Sequence, residues 1–593
     1  MKIRKYIIGA TAGLLLVSCN KMDYNEYTAF DHSYIDRNFE YVGGFMTTIY
    51  NNLDTDWGNF SGAMLSSATD ESEYSHDGNA IEDFYNGAWS PANPRMTIWN
   101  NAWAGITYCN EMLDNWQGLE FPEFNQISKY KAKLNQYNNY QYECRWARAY
   151  FYFTLVRQYG DVPFKIHNAS GPEQAALPRT STDEIFKFID DECADIQDKI
   201  IEDYTNLGDL ATDNVETGRA NKFAVMALRA QAALYHASPL FNKNNDAELW
   251  HQAALRYKEY VTAAEAAGKT LANDYKILWS DQFYSNSEAA KEIIFARRTA
   301  AAHSFENYNF PVGYSSAQGG NCPTQDLVDA YNMKASGKMI DDATSGYDPT
   351  NPYAGRDPRF EMTIAHNEDA WPKDLANTSY TKLQTYVGGY HARPRVSYAT
   401  PTSYYLKKFC FESQVLRTGR VTDSAHGWLT FRMGQAYLDY AEALFQWFKS
   451  QGNAAAYDAT APDLPTKAIT LLNKTRRRTG VMLPTLTTTD ITDNDTFWKR
   501  YKNERQVELA FEGHRFYDIR RWKEDGDKFM NIHRMEITVA TYAADGVTPA
   551  TYTYKVVPVT RGTGKWQDKW NLFPISQTEI MKSGGAMTQN PGW

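Results

Sequence analysis

The stretch FRMGQAYLDYAEALFQWF, residues 431 to 448, constrains the fold more than any other part of the chain. Met433, Ala436, Tyr437, Tyr440, Ala441, Leu444, Phe445 and Phe448 recur at steps of three and four, which places them on one broad apolar stripe of an α-helix. RWARAYFYFTLV repeats the pattern with Trp146, Ala149, Tyr150 and Phe153, and NKFAVMALRAQAALYHA with Phe223, Met226, Ala227, Ala230 and Leu234. Small residues alternate with large rings on each stripe, so neighbouring helices can approach closely. The pattern is that of tetratricopeptide-like helical pairs, without a strict period of about 34 residues because long insertions separate the pairs.

Between Ala300 and Thr430 this period weakens, and Gly, Pro, Asn, Ser and Tyr dominate, as in NYNFPVGYSSAQGGNCPTQ, GYDPTNPYAGRDPRF and GGYHARPRVSYATPTSYY. Loops that long in a compact chain are functional or disordered, and their ring content argues against disorder. Loops on a rigid scaffold are where binding residues sit. GDVPF, with Gly160 and Pro163, reads as a helix terminator, and the closing PGW as a packed tail.

At the other end, Lys2, Arg4 and Lys5 precede an apolar run from Ile7 to Val17, followed by Ser18 and Cys19. The run is shorter than the roughly 20 apolar residues a membrane span needs, so a signal peptide fits it better. Cleavage before a cysteine preceded by Leu16-Val17-Ser18 looks like a bacterial lipobox, which makes Cys19 the expected lipid attachment point. The alternative is an ordinary secretory signal with an incidental cysteine.

A net charge of -10 and a pI near 5.7 oppose a nucleic-acid footprint, which needs clustered excess Lys and Arg. Aromatics make up 15% of the chain, with 41 Tyr and 16 Trp, while mean hydropathy is only -0.59. Most of those rings must pack a core, but Tyr and Trp also serve surfaces that are apolar at one end and wet at the other, as sugar binding requires. Cys109, Cys144, Cys193, Cys322 and Cys410 lie at wide, irregular spacings with neither a disulfide framework nor a zinc pattern, and the first three fall in helical segments as small core residues. No metal or cofactor is expected. GxSxG, HExxH, GxxxxGK[ST] and GxGxxG are absent, and EYSHDGNAIEDF fails as a calcium loop because Phe84 stands where the last acidic ligand belongs.

The segments YECRWARAYFYFTLVRQYGDVPF, GRANKFAVMALRAQAALY, CPTQDLVDAYNM, FRMGQAYLDYAEAL and NERQVELAFEGHRFYDIRRW, and the ending LFPISQTEI…QNPGW, occur in an order that resembles the SusD/RagB family of outer-membrane glycan-binding lipoproteins of Bacteroidetes. The resemblance implies a mostly α-helical single SusD-like domain from 19 to 593 after a signal peptide of residues 1–18, with an N-terminal region of about 19–235 and a C-terminal region of about 290–593. It further implies four tetratricopeptide-like pairs under a loop-rich binding face, an oligosaccharide ligand, a SusC-like TonB-dependent transporter as partner, outer-membrane anchoring and no catalysis. A glycan-degrading surface enzyme and a peptide- or glycoprotein-capturing lipoprotein of the same family remain the alternatives.

The residues also carry readings of their own. Glu504, Arg505, Glu508, Glu512, Arg515 and Asp518 stand at spacings that suit helix-face ion pairs, and Asp70 and Glu71 suit a helix cap. On the family's plan the ligand face comes from the segment of about 54–103 and from the loops after 300. In the first, Asp54, Asp56 and Trp57 set carboxylates beside a ring, Asp83 is a hydroxyl-binding candidate, and Trp89 in NGAWSPANP is a stacking candidate because Gly and Pro forbid a helix there. Trp99 and Trp103, four apart, read as packing. In the second, Tyr314, Asn321, Cys322, Arg393 and Tyr404 are the candidates, Arg393 for its five fixed donors and Cys322 for ending the glycine loop.

Overall fold

The computed structural model describes residues 38–593 except 170–171, 174–175, 213–217, 281–282 and 374–379. Cys19 and the signal segment lie outside the described residues. The long helices are α1 (Phe39–Asn51), α2 (Trp99–Asn115), α3 (Tyr130–Tyr159), α4 (Thr182–Ile196), α5 (Lys222–Ala237), α6 (Ala247–Ala266), α7 (Met433–Ser450), α8 (Ala468–Arg476), α9 (Asn494–Glu508) and α10 (His514–Arg521). Their starts follow from local chemistry. Asn38, Ser181, Asn221, Asp246 and Asp493 each turn a side-chain oxygen onto a first-turn N–H, and α3 stops at Gly160, whose φ of 71° leaves the helical region.

Each helix from α2 to α8 packs on the next, so the chain builds a mostly α-helical, tetratricopeptide-like array. The apolar stripes interlock inside it: Trp146, Ala149, Phe153, Leu228, Leu234, Ala441, Leu444 and Phe445 are fully buried. Gly105 of α2 shows how close the helices run, since a Cβ there would lie 2.2 Å from the Phe151 ring. Cys109, Cys144 and Cys193 are buried in this core. Among the described residues no helix is long and apolar enough to cross a membrane.

Between α6 and α7 the chain leaves the array and returns through an antiparallel clip, β2 (Ile293–Arg298) on β4 (Gly427–Arg432), with Ile293 opposite Arg432. The loops that the clip closes have their own core of Phe310, Tyr331, Phe360, Tyr405 and Phe409, joined by Tyr275 and Trp279 from the segment before the clip. A second antiparallel pair, β1 (Ser72–Tyr74) on β3 (Asn321–Pro323), ties the segment before α2 to these loops. After α10 a long ribbon, β5 (Asn531–Tyr542) with β6 (Pro549–Thr560), inserts Met535 and Ile537 into the loop core and leaves its distal half in solvent.

Apart from Asp518 with Arg521 at 2.9 Å, the charges of α9 and α10 do not pair along one helix face as their spacing predicts. They turn inward and pair across elements, because arginines from the clip and the loops reach them. Arg432 meets Glu512 at 2.7 Å and Glu508 and Glu292 at 2.8 Å, Arg359 meets Glu504 at 2.6 Å and Glu508 at 2.7 Å, and Arg478 meets Glu508 at 2.6 Å. Burial alone would raise Glu508, but Arg478, Arg432 and Arg359 outweigh it and hold the carboxyl well below its usual range. Arg505 joins Asp518 at 2.7 Å, and Arg515 joins Asp70 at 2.7 Å, so Asp70 caps nothing. Glu71 is buried behind it, and Thr324 provides the cap of the neighbouring short helix.

Candidate binding face

Most of the candidate residues hold the loops together from beneath. Asp54 accepts the Tyr150 hydroxyl and the Arg157 guanidinium, each at 2.6 Å. Asp56 is buried, accepts the Leu65 N–H at 2.7 Å and is pushed by burial up to about 7. Trp57 stands in a cage of Phe305, Phe409, Trp428 and His426, all within 5.3 Å between ring centres. Asp83 is held by Arg95 at 2.6 Å and Asn93 at 2.7 Å.

Trp89 is a plug and not a platform. It is 2% exposed, meets Phe84, Phe573 and Trp593 edge-on at 4.6, 4.7 and 4.9 Å, and donates its indole N–H to the Pro94 carbonyl. The C-terminal tail covers it. Trp99 and Trp103 pack edge to face, as their spacing predicts.

The later candidates share this fate. Asn321 is fully buried and uses its whole amide: Oδ1 accepts the Met64 N–H and the Ser67 hydroxyl, and Nδ2 donates to Gly62 O and Asn309 Oδ1. Cys322 is buried, and burial pushes its thiol up to about 12. Tyr404 is buried with its hydroxyl on Gln325 Oε1 at 2.6 Å, and Tyr314 is buried against Phe310. A polar group whose partners are all internal has nothing left to offer a ligand. Of the ten candidates, only Arg393 reaches the surface where loops meet.

That surface forms just past β1. Ser75 is fixed by the Gly320 and Gln318 carbonyls, and the chain then turns out with His76 and Asp77. Loop 381–402, GGYHARPRVSYAT at its centre, lies over this turn. Arg393 ties the two together by donating to Asp77 Oδ1 at 3.0 Å and to Ala399 O at 3.2 Å. From below, the Tyr405 hydroxyl donates to the His391 carbonyl at 2.7 Å, and His391 Nδ1 accepts the Gln384 N–H at 3.0 Å.

Rings crown the loop. Tyr398 is 43% exposed and stacks on His76 with centres 5.4 Å apart and planes 21° apart. Tyr390 stacks on Tyr380 at 4.1 Å, and the Arg395 guanidinium lies 5.1 Å over Tyr390. Tyr386 leans on Tyr552 of β6 at 5.5 Å. Burial, followed by the Arg393 charge, lowers His76 from its ordinary value. A flat ring held in place beside carboxylate and guanidinium groups suits a ligand with C–H faces and hydroxyl edges. His76, Asp77, Tyr390, Arg395 and Tyr398 are the residues that the sequence reading missed. Tyr398 carried a signal, since Ser397 and Ala399 flank it, whereas Tyr404 and Tyr405 run into Leu406 as an apolar strand does.

A cleft of about 440 Å³ opens between α9 and the loops, lined by Asp326, Asp329, Lys499 and Lys502 among others. Of its three lysines, Lys499 pairs with Asp341 at 2.8 Å and Lys502 with Glu524 at 2.7 Å, and Lys528 is the third. Among the described residues, Glu361, His366 and Asp369 gather as metal ligands do, but Lys407 already supplies a cation there, 2.7 Å from Asp369 and 3.5 Å from Glu361.

A helical array that holds a stiffened, ring-bearing loop face away from its core defines a scaffold-and-face protein. The chain belongs to the SusD family, which residues 281–593 match, and residues 41–234 match a family described as starch-binding associating with outer membrane. No curated protein matches it. Among solved structures it is similar to a SusD-like protein from Bacteroides fragilis at 21% identity and a TM-score of 0.70, over 94% of this chain and 98% of that one. A SusD-like carbohydrate binding protein from the same species follows at 20% and 0.69, over 93% and 99%. Surface glycan-binding protein A from Bacteroides fluxus gives 18% and 0.58, over 94% and 100%.

Proposed function

We propose that this protein captures oligosaccharides at the cell surface without cleaving them, using the face built by His76, Asp77, Tyr390, Arg393 and Tyr398. It then passes them to a SusC-like TonB-dependent transporter in the outer membrane, to which it stays close through a lipid on Cys19 after removal of residues 1–18. The observation that carries the reading is the Tyr398–His76 stack, an exposed ring held flat beside hydrogen-bonding groups. Membership of the SusD family, and the description of its relatives as carbohydrate or glycan binders, support it.

A face fixed in advance loses little conformational freedom on binding, so modest contacts suffice for affinity. Handover requires that the ligand favour a closed arrangement of protein and transporter over an open one, since equal affinity for both shifts nothing.

The test is calorimetric titration of Tyr398→Ala with a glycan the wild type binds. Loss of an exposed platform weakens binding by about 1 kcal/mol or more, roughly fivefold, and leaves the melting temperature in place. Unchanged affinity would remove Tyr398 from the face.

A further inference from the structure

Resting on the reading above, the face differs from a plain neutral-sugar platform in one respect. Arg395 is exposed, lies with its guanidinium 5.1 Å over the Tyr390 ring, and has neither an ion pair nor a hydrogen bond among the described residues. Elsewhere on this acidic chain, cations near the face are matched: Arg393 lies 3.0 Å from Asp77, and Lys382 lies 3.2 Å from Glu368. A guanidinium carries its five donors in a rigid planar fork, which is the geometry that carboxylate and sulfate oxygens accept bidentately. Arg395 and Tyr398 are three positions apart, so their backbones are at most about 11 Å apart, within reach of one short oligosaccharide.

We infer that the face selects anionic glycans, with Arg395 gripping the carboxylate or sulfate of one sugar while Tyr398 stacks on another. The uncancelled charge of Arg395 is felt nearby: burial first and Arg395 second push His391 down to about 4. No acidic residue shares in that shift.

The probes are matched pairs: a uronic-acid oligosaccharide and its carboxyl-reduced form, and a sulfated oligosaccharide and its desulfated form, each titrated into the full chain. The expected result is that the charged member of at least one pair binds about tenfold more tightly than its neutral partner. The advantage should shrink with added salt, disappear in Arg395→Gln and return in part in Arg395→Lys. The pair that shows it distinguishes carboxylate from sulfate. Tyr398→Ala should weaken both members of the pair alike, and because Arg395 is exposed none of its variants should alter the melting temperature. Neutral members binding as well as charged ones, with Tyr398→Ala still weakening them, would overturn the anionic preference and leave glycan capture standing. If no member binds, or if Tyr398→Ala changes nothing, both readings fail.

Discussion

Tyr398 and Trp89 are both loop rings flanked by small residues, yet one faces solvent and the other is sealed under Trp593. The difference is made by contacts hundreds of residues away in the chain. Trp89→Ala is therefore expected to cost about 3 to 5 kcal/mol of stability, read as an early melt, while the fraction that remains folded binds glycan normally. A variant that melts like wild type but no longer binds would return Trp89 to the ligand face. His391 gives a second outcome. It is buried and held down at about 4, against about 6.5 in an unfolded chain, so the unfolded state binds the extra proton between those values. Stability is full above about pH 6.5 and declines as pH falls towards 4, by up to about 3 kcal/mol. Urea melts of wild type and His391→Gln across this window should show the shallower slope in the variant, and equal slopes would discard the assignment.

At the scale of elements, the buried charges join parts that share no hydrophobic stripe. Arg432 ends the β2–β4 clip, Arg359 belongs to the loops, and Glu504 and Glu508 belong to α9, so the network bolts the loop region to the helical array. Gly434 is part of the bolt, because a Cβ there would lie 2.2 Å from Arg432 Nη1 and 2.8 Å from Glu508 Oε1. Arg432→Met leaves three buried carboxylates short of a partner and should cost about 3 to 5 kcal/mol in denaturant melts, whereas the exposed Arg420→Met should change stability by less than about 0.5 kcal/mol. Equal effects would mean that the network contributes nothing. The helices themselves were legible in the sequence, since α3, α5 and α7 follow periodic stripes, although of the three only α5 starts on a side-chain cap, Asn221. The direction in which the charges of α9 and α10 turn was not, because their spacing is the same for a solvated face and a buried one. Only the arrival of Arg432, Arg359 and Arg478 from elsewhere decides between them.

For the whole molecule, the same limit holds at the proposed ligand face. Sequence reading named the segment of about 54–103 and the loops after 300 for the ligand face, and the β1–β3 pair brings parts of the two together. Within those stretches it chose Asn321, Cys322 and Tyr404, whose side chains point into the loop core, over His76 and Tyr398, a few residues away on the outside. Loops lack a period from which inside and outside can be told. The proposed ligand position is the outer surface of loop 381–402 against His76 and Asp77. Hydrogen–deuterium exchange on the full chain, with and without a saturating glycan, tests it directly. The predicted result is protection confined to peptides spanning 75–78 and 386–400, with the Asp326–Lys499 cleft unchanged. Protection at that cleft, with loop 381–402 exchanging as in the free protein, would contradict it.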